Sequence, residues 1–394
     1  MDLSKKLTYY KKSPEKEKLN HPPSLIALKD HYHGEILFDE APILKIQKRH
    51  PYPDYKNDNI HINLISKNEF TDPIRREKCV FFDLETTGLA GGTGTFAFLI
   101  GFAYWQNEEI ITDQYFLPDF GREYEIFNVL QDWLSGFEYL VSYNGKSYDM
   151  PLLSSRFILN RLKPGFKNRK HIDLIHMCRR IWKESLPSCD LKSIEQHLLN
   201  VHRTGDIPGA FIPQAYFNFI NTGAIHDVLR MIEHNLQDIL SLTLFLDQLD
   251  YLNKSPQKLP LDSKAVANLA KTAFQAGDTL YFEMIENSEE LQSKISIDYK
   301  YWKSLLLKRS GKLDDANKIW EELLTKPEYC FFSLEESAKY HEHRKKDLPA
   351  ALNLVEEAFK RLDLQAELGY QIFDPSWKTR FEKRRNRLKN KLSI

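Results

Sequence analysis

The sequence predicts an α/β domain followed by an all-helical domain. Between about 78 and 251, four short runs of aromatic and β-branched residues occur together with segments of helical periodicity. Beyond 263 we find no strand pattern, but a helical pattern repeats at a period near 34 residues. These observations favour a sheet flanked by helices and then a helical array.

The composition is that of a globular protein with no overall charge bias. Of 394 residues, 42% are hydrophobic and 28% charged, and Lys plus Arg equals Asp plus Glu at 55 each. A nucleic-acid role would therefore need local basic patches. The four cysteines form no C-x-x-C pair, which favours neither a zinc site nor a disulfide framework and fits a cytoplasmic protein. We find no secretory signal and no run of 18 apolar residues.

The elements of the α/β domain can be assigned in order. Residues 1–77 are expected to be an irregular extension, disordered at its start, with one or two short strands within GEILFDEAPILKIQKRHPYPDY. The four strand-like runs are KCVFFDLETTG, TFAFLIGFAYW, EIITDQYFL and EYLVSYNG, the first three being spaced as an antiparallel meander. Helices are predicted in REYEIFNVLQDWL, DMPLLSSRFILNRL, HIDLIHMCRRIW, CDLKSIEQHLL and AIHDVLRMIEHNLQDILSLTLFLDQLDYL.

A linker at 252–263 leads to helical repeats over 264–394. Three segments align with Gly277, Gly311 and Lys346 at the turn, 34 and 35 residues apart. This period, with helix–turn–helix character, predicts tetratricopeptide-like repeats, which commonly bind a protein partner. The basic C-terminal stretch KTRFEKRRNRLKNKL is either an exposed helix or a nucleic-acid-binding arm.

Two acidic residues lie at the end of a strongly hydrophobic predicted strand. Asp83 and Glu85 are two residues apart, so a regular strand points both to one face. Two acids beside phenylalanines are costly unless a cation or solvent meets them. Either the strand end emerges into water or the pair holds a metal ion.

Further acids come later in the chain. Asn144 stands at a strand end and Asp149 at a helix start, while His234 and Asp238 share one helix face at i and i+4. The alternatives are a turn asparagine, a helix-capping aspartate and a solvated helix face.

The order of these motifs resembles a known superfamily. Asp-x-Glu-Thr-Thr-Gly, Asn-x-x-x-Tyr-Asp and a His four residues before a final Asp resemble the DEDD exonucleases of the ribonuclease H-like superfamily. GLAGGTGTFAFLIG, DLKSIEQHLL and GDIPGAFIPQAYFNFI are similar to the bacterial YprB-like family, in which such a domain precedes tetratricopeptide-like repeats. The resemblance implies a mixed five-stranded sheet flanked by helices, over about 78–251.

The resemblance also implies an activity and its residues. Asp83, Glu85, Asp149 and Asp238 would hold two Mg²⁺ or Mn²⁺ ions for phosphodiester hydrolysis, as in a 3′–5′ exonuclease acting on a single-stranded end. His234 would orient or deprotonate the attacking water. Contacts to the substrate are implied for Thr86, Thr87, Gly88, Leu89, Asn144, Tyr148 and Arg156.

The chain departs from the DEDD pattern at one position. One branch of these enzymes carries Tyr four residues before the last Asp, and the other carries His five residues before it. Here His234 stands four residues before Asp238. It combines the position of one branch with the side chain of the other, which leaves the subclass open.

A basic segment and an aromatic pair are candidate contacts to nucleic acid. The segment 154–183 contains one acid, Asp173, and the following cations: Arg156, Arg161, Lys163, Lys167, Arg169, Lys170, Arg179, Arg180 and Lys183. It either flanks the site or is a solvated surface. Tyr216 and Phe217 either stack on bases or belong to the core. The alternative function is a scaffold that binds nucleic acid without turnover and recruits a partner through its repeats.

Overall fold

The structure is a computed structural model that describes residues 21–52, 58–88, 94–166, 168–369 and 374–392. It divides into two compact units. The first unit comprises 1–61, 72–177 and 188–250, and the second comprises 62–71, 178–187 and 251–394. No helix among the described residues is long and apolar enough to span a membrane.

A mixed seven-stranded sheet forms the centre of the first unit, with strand order β1-β2-β7-β6-β5-β8-β9. Its strands are β1 Glu35–Leu37, β2 Ile43–Pro51, β5 Cys79–Thr86, β6 Ala97–Gln106, β7 Glu109–Phe116, β8 Tyr139–Ser142 and β9 Lys170–Asp173, and a separate pair is formed by β3 Asn59–Ile60 and β4 Ile74–Arg75. β5, β6 and β7 are the predicted antiparallel meander. β8 pairs parallel to β5, and β9 pairs parallel to β8.

The segment 78–251 contains the five expected strands, β5 to β9, and two strands from the segment before it extend the sheet to seven. These are β1 and β2, which lie where one or two short strands were expected. β2 pairs with β7 from Leu44↔Phe116 to Pro51↔Glu109, and β1 pairs with β2. β2 is nine residues long and has buried residues only in its first half. β9 was assigned to a helix because KHID runs without a break into the apolar residues of the next helix.

Helices flank the sheet and close its core. They are α1 Pro23–Tyr32, α2 Tyr124–Leu134, α3 Asp149–Leu159, α4 Leu174–Trp182, α5 Leu191–His197, α6 Ile212–Thr222 and α7 His226–Lys254. α2 presents Ile126, Phe127 and Leu130 at helical spacing, and all three are fully buried. A single core cluster joins side chains from α1, α2, α3, α6 and the first part of α7 to those of the sheet.

The second unit is helical after residue 251. Its helices there are α8 Ser263–Ala276, α9 Leu280–Glu286, α10 Glu289–Gln292, α11 Ile297–Arg309, α12 Leu313–Leu323, α13 Pro327–Tyr340, α14 Leu348–Glu367 and α15 Ser376–Leu392. The aligned turn residues Gly277, Gly311 and Lys346 all have positive φ, at 76°, 74° and 60°. Each lies in a turn between two helices, where a left-handed residue satisfies carbonyls at the helix end.

The basic C-terminal helix α15 is held by acids within its own unit. The buried carboxylate of Glu342 accepts hydrogen bonds from Arg384 at 2.6 Å and Lys391 at 2.8 Å. Arg380 pairs with Glu335, and Lys389 lies 3.5 Å from Glu356. Helix packing therefore accounts for this charge without a nucleic-acid contact.

Candidate metal-binding active site

Asp83 and Glu85 lie on β5, in the middle of the sheet. β5 is flanked by β6 on one side and β8 on the other. Phe82 and Leu84 point to the opposite face and are buried in the core cluster. A register shift between Glu85 and Thr86 ends the regular pairing with β6. Cys79 and Phe81 precede the acids on the other face and are also buried, so the two carboxylates appear only at the end of a strand that is apolar on both faces.

Asp149 enters through the turn that follows β8. Asn144 adopts a left-handed conformation with φ of 63°. The buried carboxylate of Asp173 holds this turn, accepting the backbone N–H of Asn144 at 2.7 Å and of Lys146 at 3.0 Å. At Gly145 a Cβ would lie 2.3 Å from Ser142 Oγ, so the tight approach requires glycine. The chain then starts α3 with Asp149.

The third element is α7, which carries His234 and Asp238 one turn apart. His234 Nε2 lies 3.5 Å from Asp238 Oδ2 and 3.9 Å from Glu85 Oε1. One ligand atom from each of these three side chains lies within 4.8 Å of the others. Glu85 and His234, which are 149 residues apart in the sequence, therefore lie side by side in the fold.

The electrostatics show that all four acids converge. Burial raises the pKa of Asp83 well above its usual value, and the charges of Asp238 and Asp149 raise it further. Burial and the neighbouring acids, Asp83 first, also raise the pKa of Glu85. The pKa of Asp149 rises to about 7 through burial and the charge of Asp173. Burial raises the pKa of Asp238, although His234 and Arg203 oppose this shift. Such mutual repulsion is what a bound cation relieves.

A buried asparagine fixes Asp83. Asn235 Nδ2 donates to Asp83 Oδ2 at 2.9 Å, and Gln114 Nε2 donates to Asn235 Oδ1 at 2.9 Å. Gly101, paired with Asp83 across β5 and β6, makes room for the amide, since a Cβ there would lie 2.2 Å from Asn235 Oδ1. The orientation of the carboxylate thus depends on a chain of contacts through α7, β6 and β7.

A second network, of hydrogen bonds and ion pairs, fixes the side chains of His234 and Asp238. His234 Nδ1 lies 2.7 Å from Asp206 Oδ1. Arg203 Nη2 donates to Asp238 Oδ1 and to the buried Glu195, whose Oε2 accepts from Arg203 Nε at 2.6 Å. Arg203 Nη1 lies 3.5 Å from Asp206 Oδ2. The Arg203 guanidinium therefore contacts three carboxylates, those of Glu195, Asp206 and Asp238.

Some of the residues predicted to contact substrate line a cleft, and others make contacts within the fold. Thr86, Gly88 and Tyr148 line a cleft of about 600 Å³, open mouth included, together with Glu85 and Asp149. Thr87 instead ties the strand end to β6, donating its N–H to the Phe96 carbonyl at 2.9 Å and accepting the Phe96 N–H at 3.0 Å. Asn144 forms the turn described above, and Leu89 lies outside the described residues.

Arg156 does not face the cleft as a free cation. Its Nε donates to Glu123 Oε1 at 2.8 Å, and Glu123 is buried. Its Nη1 contacts the carbonyl of Thr95 at 3.4 Å, and Thr95 lines the cleft. Buried Glu123 therefore takes up the charge of Arg156, which contacts the cleft through Thr95, and its contact with substrate stays a prediction.

Other cations of the basic segment also have structural partners. Arg169 Nη2 donates to the Ser135 carbonyl at 2.7 Å, Arg180 donates to the Ile65 carbonyl, and Lys170 lies over the Tyr139 ring. Lys167 lies outside the described residues. Arg169, Arg180 and Lys170 therefore make contacts within the fold.

The fold and these carboxylates define a nuclease-type domain of the ribonuclease H-like class. The RNase_H superfamily matches residues 80–250. Over 288 residues the chain is 32% identical to "Uncharacterized protein YprB" of Bacillus subtilis (strain 168), covering 71% of this chain and 68% of that protein. The chain belongs to the YprB family and carries an RNase_H superfamily domain.

A solved structure shows a more distant likeness. The family B DNA polymerase from the archaeon Pyrobaculum calidifontis is 17% identical with a TM-score of 0.35, covering 52% of this chain and 29% of that chain. A likeness of this size carries no weight for fold or function.

Sequence reasoning missed the residues that support the acids. Asn235 is adjacent to His234 in the sequence, but the sequence does not indicate that the Asn235 side chain contacts Asp83 on another element. Asp206 lies in the GDIPGAF stretch, which was noted only for its family likeness. Arg203 and Glu195 are eight residues apart across a loop, a spacing with no helical or strand meaning. Only the folded chain brings them to the site.

Proposed function

We propose that this chain is a divalent-metal-dependent nuclease that hydrolyses phosphodiester bonds, with 3′–5′ exonuclease action on a single-stranded end. The convergence of Asp83, Glu85, Asp149 and Asp238 supports this, because these buried carboxylates come from three elements and their charges raise the pKa of Asp83 and Glu85. Glu85 and Asp149 also line an open cleft. A structural role would not require so costly a cluster.

The donor set fits Mg²⁺ or Mn²⁺. Both ions prefer oxygen ligands, and ionised carboxylates are the strongest of these in proteins. Asp83, Glu85, Asp149 and Asp238 would hold the metal. When bound at such a site, two ions activate a water molecule and stabilise the leaving oxygen of the phosphodiester.

His234 is suited to accept the proton of that water. His234 Nδ1 lies 2.7 Å from Asp206 Oδ1 and 3.2 Å from Arg203 Nη1. The Asp206 carboxylate only accepts hydrogen bonds and makes the shorter contact, so we assign the ring hydrogen to Nδ1. Nε2 then carries the lone pair and faces Glu85 and Asp238. An imidazole held in one tautomer in this way offers that lone pair to the proton of a water molecule.

The cleft beside the acids would receive the strand end. Thr86, Gly88 and Tyr148 line it from one side, and Gly209 and Pro213 from the other. Tyr148 is largely exposed there and offers both a ring face and a hydroxyl. We assign these side chains and backbone groups to contacts with the terminal nucleotide.

The first experiment is a cleavage assay on 5′-labelled single-stranded DNA and RNA with Mg²⁺ or Mn²⁺. Wild-type protein is expected to give a ladder that shortens from the 3′ end, and the Asp83→Asn/Glu85→Gln double variant to give none. Asp315→Asn, at an exposed acid in the second unit, is the matched control. Absence of cleavage on both polymers in both metals would remove the nuclease proposal.

One observation favours an alternative without turnover. Arg203 donates to Asp238 Oδ1, so a cation already occupies one ligand oxygen of the fourth acid. The alternative function is a catalytically weak or inactive nucleic-acid-binding scaffold that recruits a protein partner through its helical repeats. A Mn²⁺ titration separates the two. The nuclease should bind Mn²⁺ and lose binding in Asp83→Asn, while a scaffold whose site is neutralised by Arg203 should bind none.

A further inference from the structure

An exposed aromatic pair lies on the surface of the first unit. Phe120 is 42% exposed and Phe217 is 36% exposed. Their ring centroids are 6.2 Å apart with 29° between the planes, which is a stacked arrangement. Single exposed apolar residues are ordinary, but two large rings stacked on each other in solvent form a small specific surface.

The core does not need Phe217. Its neighbour Tyr216 is fully buried, stacks on Phe98 at 4.0 Å and donates its hydroxyl hydrogen to the Leu117 carbonyl at 3.1 Å. Tyr216 and Phe219 thus hold α6 on the sheet while Phe217 faces outward. The sequence could not separate Tyr216 from Phe217, and the structure assigns one to the core and the other to the surface.

The aromatic pair lies next to residues of the cleft that Glu85 and Asp149 line. Pro213 lines that cleft, and Phe217 follows it by four residues on the same face of α6. Thr95 also lines the cleft, and the ring of the next residue, Phe96, lies 5.3 Å from that of Phe120. Each ring is therefore a near neighbour of a residue that lines the cleft.

Phe211 adjoins residues of the same cleft. It stands between Gly209 and Pro213, both of which line the cleft, and it is 62% exposed. It immediately precedes α6, at the end of the short helical turn Gly209–Phe211, in which no residue is buried. A further exposed ring therefore lies next to the cleft.

We propose that Phe120 and Phe217 form a stacking platform for unpaired bases of a nucleic-acid strand whose end lies in the cleft. This rests on the proposed function, which places phosphodiesters beside the acids. Every base has a flat π face, so rings leading away from the cleft suit a strand of any sequence. Two rings flanked by the Asp119–Arg122 ion pair are too small and too polar a surface for a stable protein interface.

The test measures binding and does not require cleavage. Fluorescence anisotropy follows a labelled single-stranded oligonucleotide and its partly abasic counterpart, with Asp83→Asn in every protein to keep the strand intact. The aromatic variants are Phe120→Ala, Phe217→Ala and Phe217→Trp. Ile158→Ala removes an exposed apolar side chain near the other end of α3 and is the matched control.

If bases stack on the pair, each alanine variant should bind the intact strand about tenfold more weakly, and Phe217→Trp should retain the affinity. The parent protein should bind the abasic strand about tenfold more weakly than the intact strand. The alanine substitutions should weaken binding to the abasic strand little further. Ile158→Ala should bind both strands normally. Circular dichroism of each variant establishes that the fold is intact.

Two results would overturn the platform. One is equal affinity of the alanine variants and the parent for the intact strand, because loss of a stacking ring must weaken binding. The other is the same loss for intact and abasic strands, because stacking requires the base. The nuclease proposal is tested separately by cleavage, so either proposal can fail while the other stands.

Discussion

His234 Nδ1 lies 2.7 Å from Asp206 Oδ1, while its Nε2 faces Glu85 and Asp238. The aspartate therefore selects which ring nitrogen carries the hydrogen and which is free at the acids. Since Asp206 lies 28 residues before His234, this pairing exists only in the folded chain.

Replacing Asp206 should impair turnover without removing the acids. In Asp206→Asn the amide can donate to Nδ1 and favour the wrong tautomer, so we expect kcat to fall about 10- to 100-fold with KM nearly unchanged. Asp227→Asn, at an exposed aspartate paired with Arg230 near the start of α7, should cleave normally. Steady-state cleavage of a labelled oligonucleotide measures both. An unchanged kcat in Asp206→Asn would show that the pairing does not position the imidazole.

Removing one acid should stabilise the metal-free protein. Burial and its neighbours Asp238 and Asp149 raise the pKa of Asp83, so its ionised form is unfavourable in the fold. We expect Asp83→Asn to raise Tm by about 2–4 °C in EDTA, as about 1 kcal/mol does for a domain of this size. The gain in Tm that Mn²⁺ gives the wild type should be absent in the variant. Thermal melts with and without Mn²⁺ measure this, and a lower Tm of the variant in EDTA would contradict it.

The pH dependence should follow Asp149. Its pKa is raised from 3.8 to about 7, chiefly by burial, so the folded state binds this proton more tightly than the unfolded chain does. The stability contribution of the protonated form is fully present below about pH 4 and is lost as pH rises through 7. We expect the Tm difference between Asp149→Asn and wild type in EDTA to grow from pH 5 to pH 8.

Metal binding should show the opposite trend with pH. Below pH 7 an ion must displace the proton of Asp149, so Mn²⁺ affinity should fall by up to about tenfold per pH unit for each proton released. Calorimetric titration at pH 6 and pH 8 measures the affinity and the protons released. Equal affinity at both pH values would place Asp149 outside the metal site.

Gly101 should tolerate no side chain. A Cβ there would lie 2.2 Å from Oδ1 of the buried Asn235, which is held on both sides by Gln114 and Asp83. Gly101→Ala should destabilise the protein by about 1–3 kcal/mol and lower kcat, because Asp83 loses its fixed partner. Gly136→Ala, where the nearest atom is 3.4 Å away, is the control. Urea unfolding and cleavage assays check both effects.

In the second unit, Glu342 should be the most sensitive acid. Burial would raise its pKa, but hydrogen bonds from Arg387 and Lys391 outweigh burial and lower it from 4.5 to about 2. Glu342→Gln leaves the largely buried charge of Arg384 facing a neutral amide instead of a carboxylate, and we expect a loss of about 3 kcal/mol. The contribution of the carboxylate is present above about pH 4.5 and is lost as pH falls toward 2.

A surface acid in the same unit provides the comparison. Glu356 lies 3.8 Å from Arg385 and 3.5 Å from Lys389 and is partly exposed. Glu356→Gln should cost less than about 1 kcal/mol. Urea unfolding of both variants at pH 7 and pH 3 gives the difference, which should shrink at the lower pH. Equal losses at pH 7 would show that burial of Glu342 has no special weight.

Local pattern was enough for the strands β5 to β8 and for most helices around them, since each has a clear period of apolar residues. The same spacing placed Asp83 and Glu85 on one strand face and His234 and Asp238 on one helix face. It failed where a strand runs directly into a helix, as in β9.

The sequence by itself therefore determined the order of most elements and singled out the acids that lie together in the fold, because periodicity and motif spacing are local properties of the chain. Tertiary structure alone decided which partners those residues have. Arg156 pairs with Glu123, 33 residues earlier, and Asn235 reaches Asp83, 152 residues earlier. Such contacts depend on how distant segments pack, and the buried side chains that meet there leave no periodic trace in the sequence.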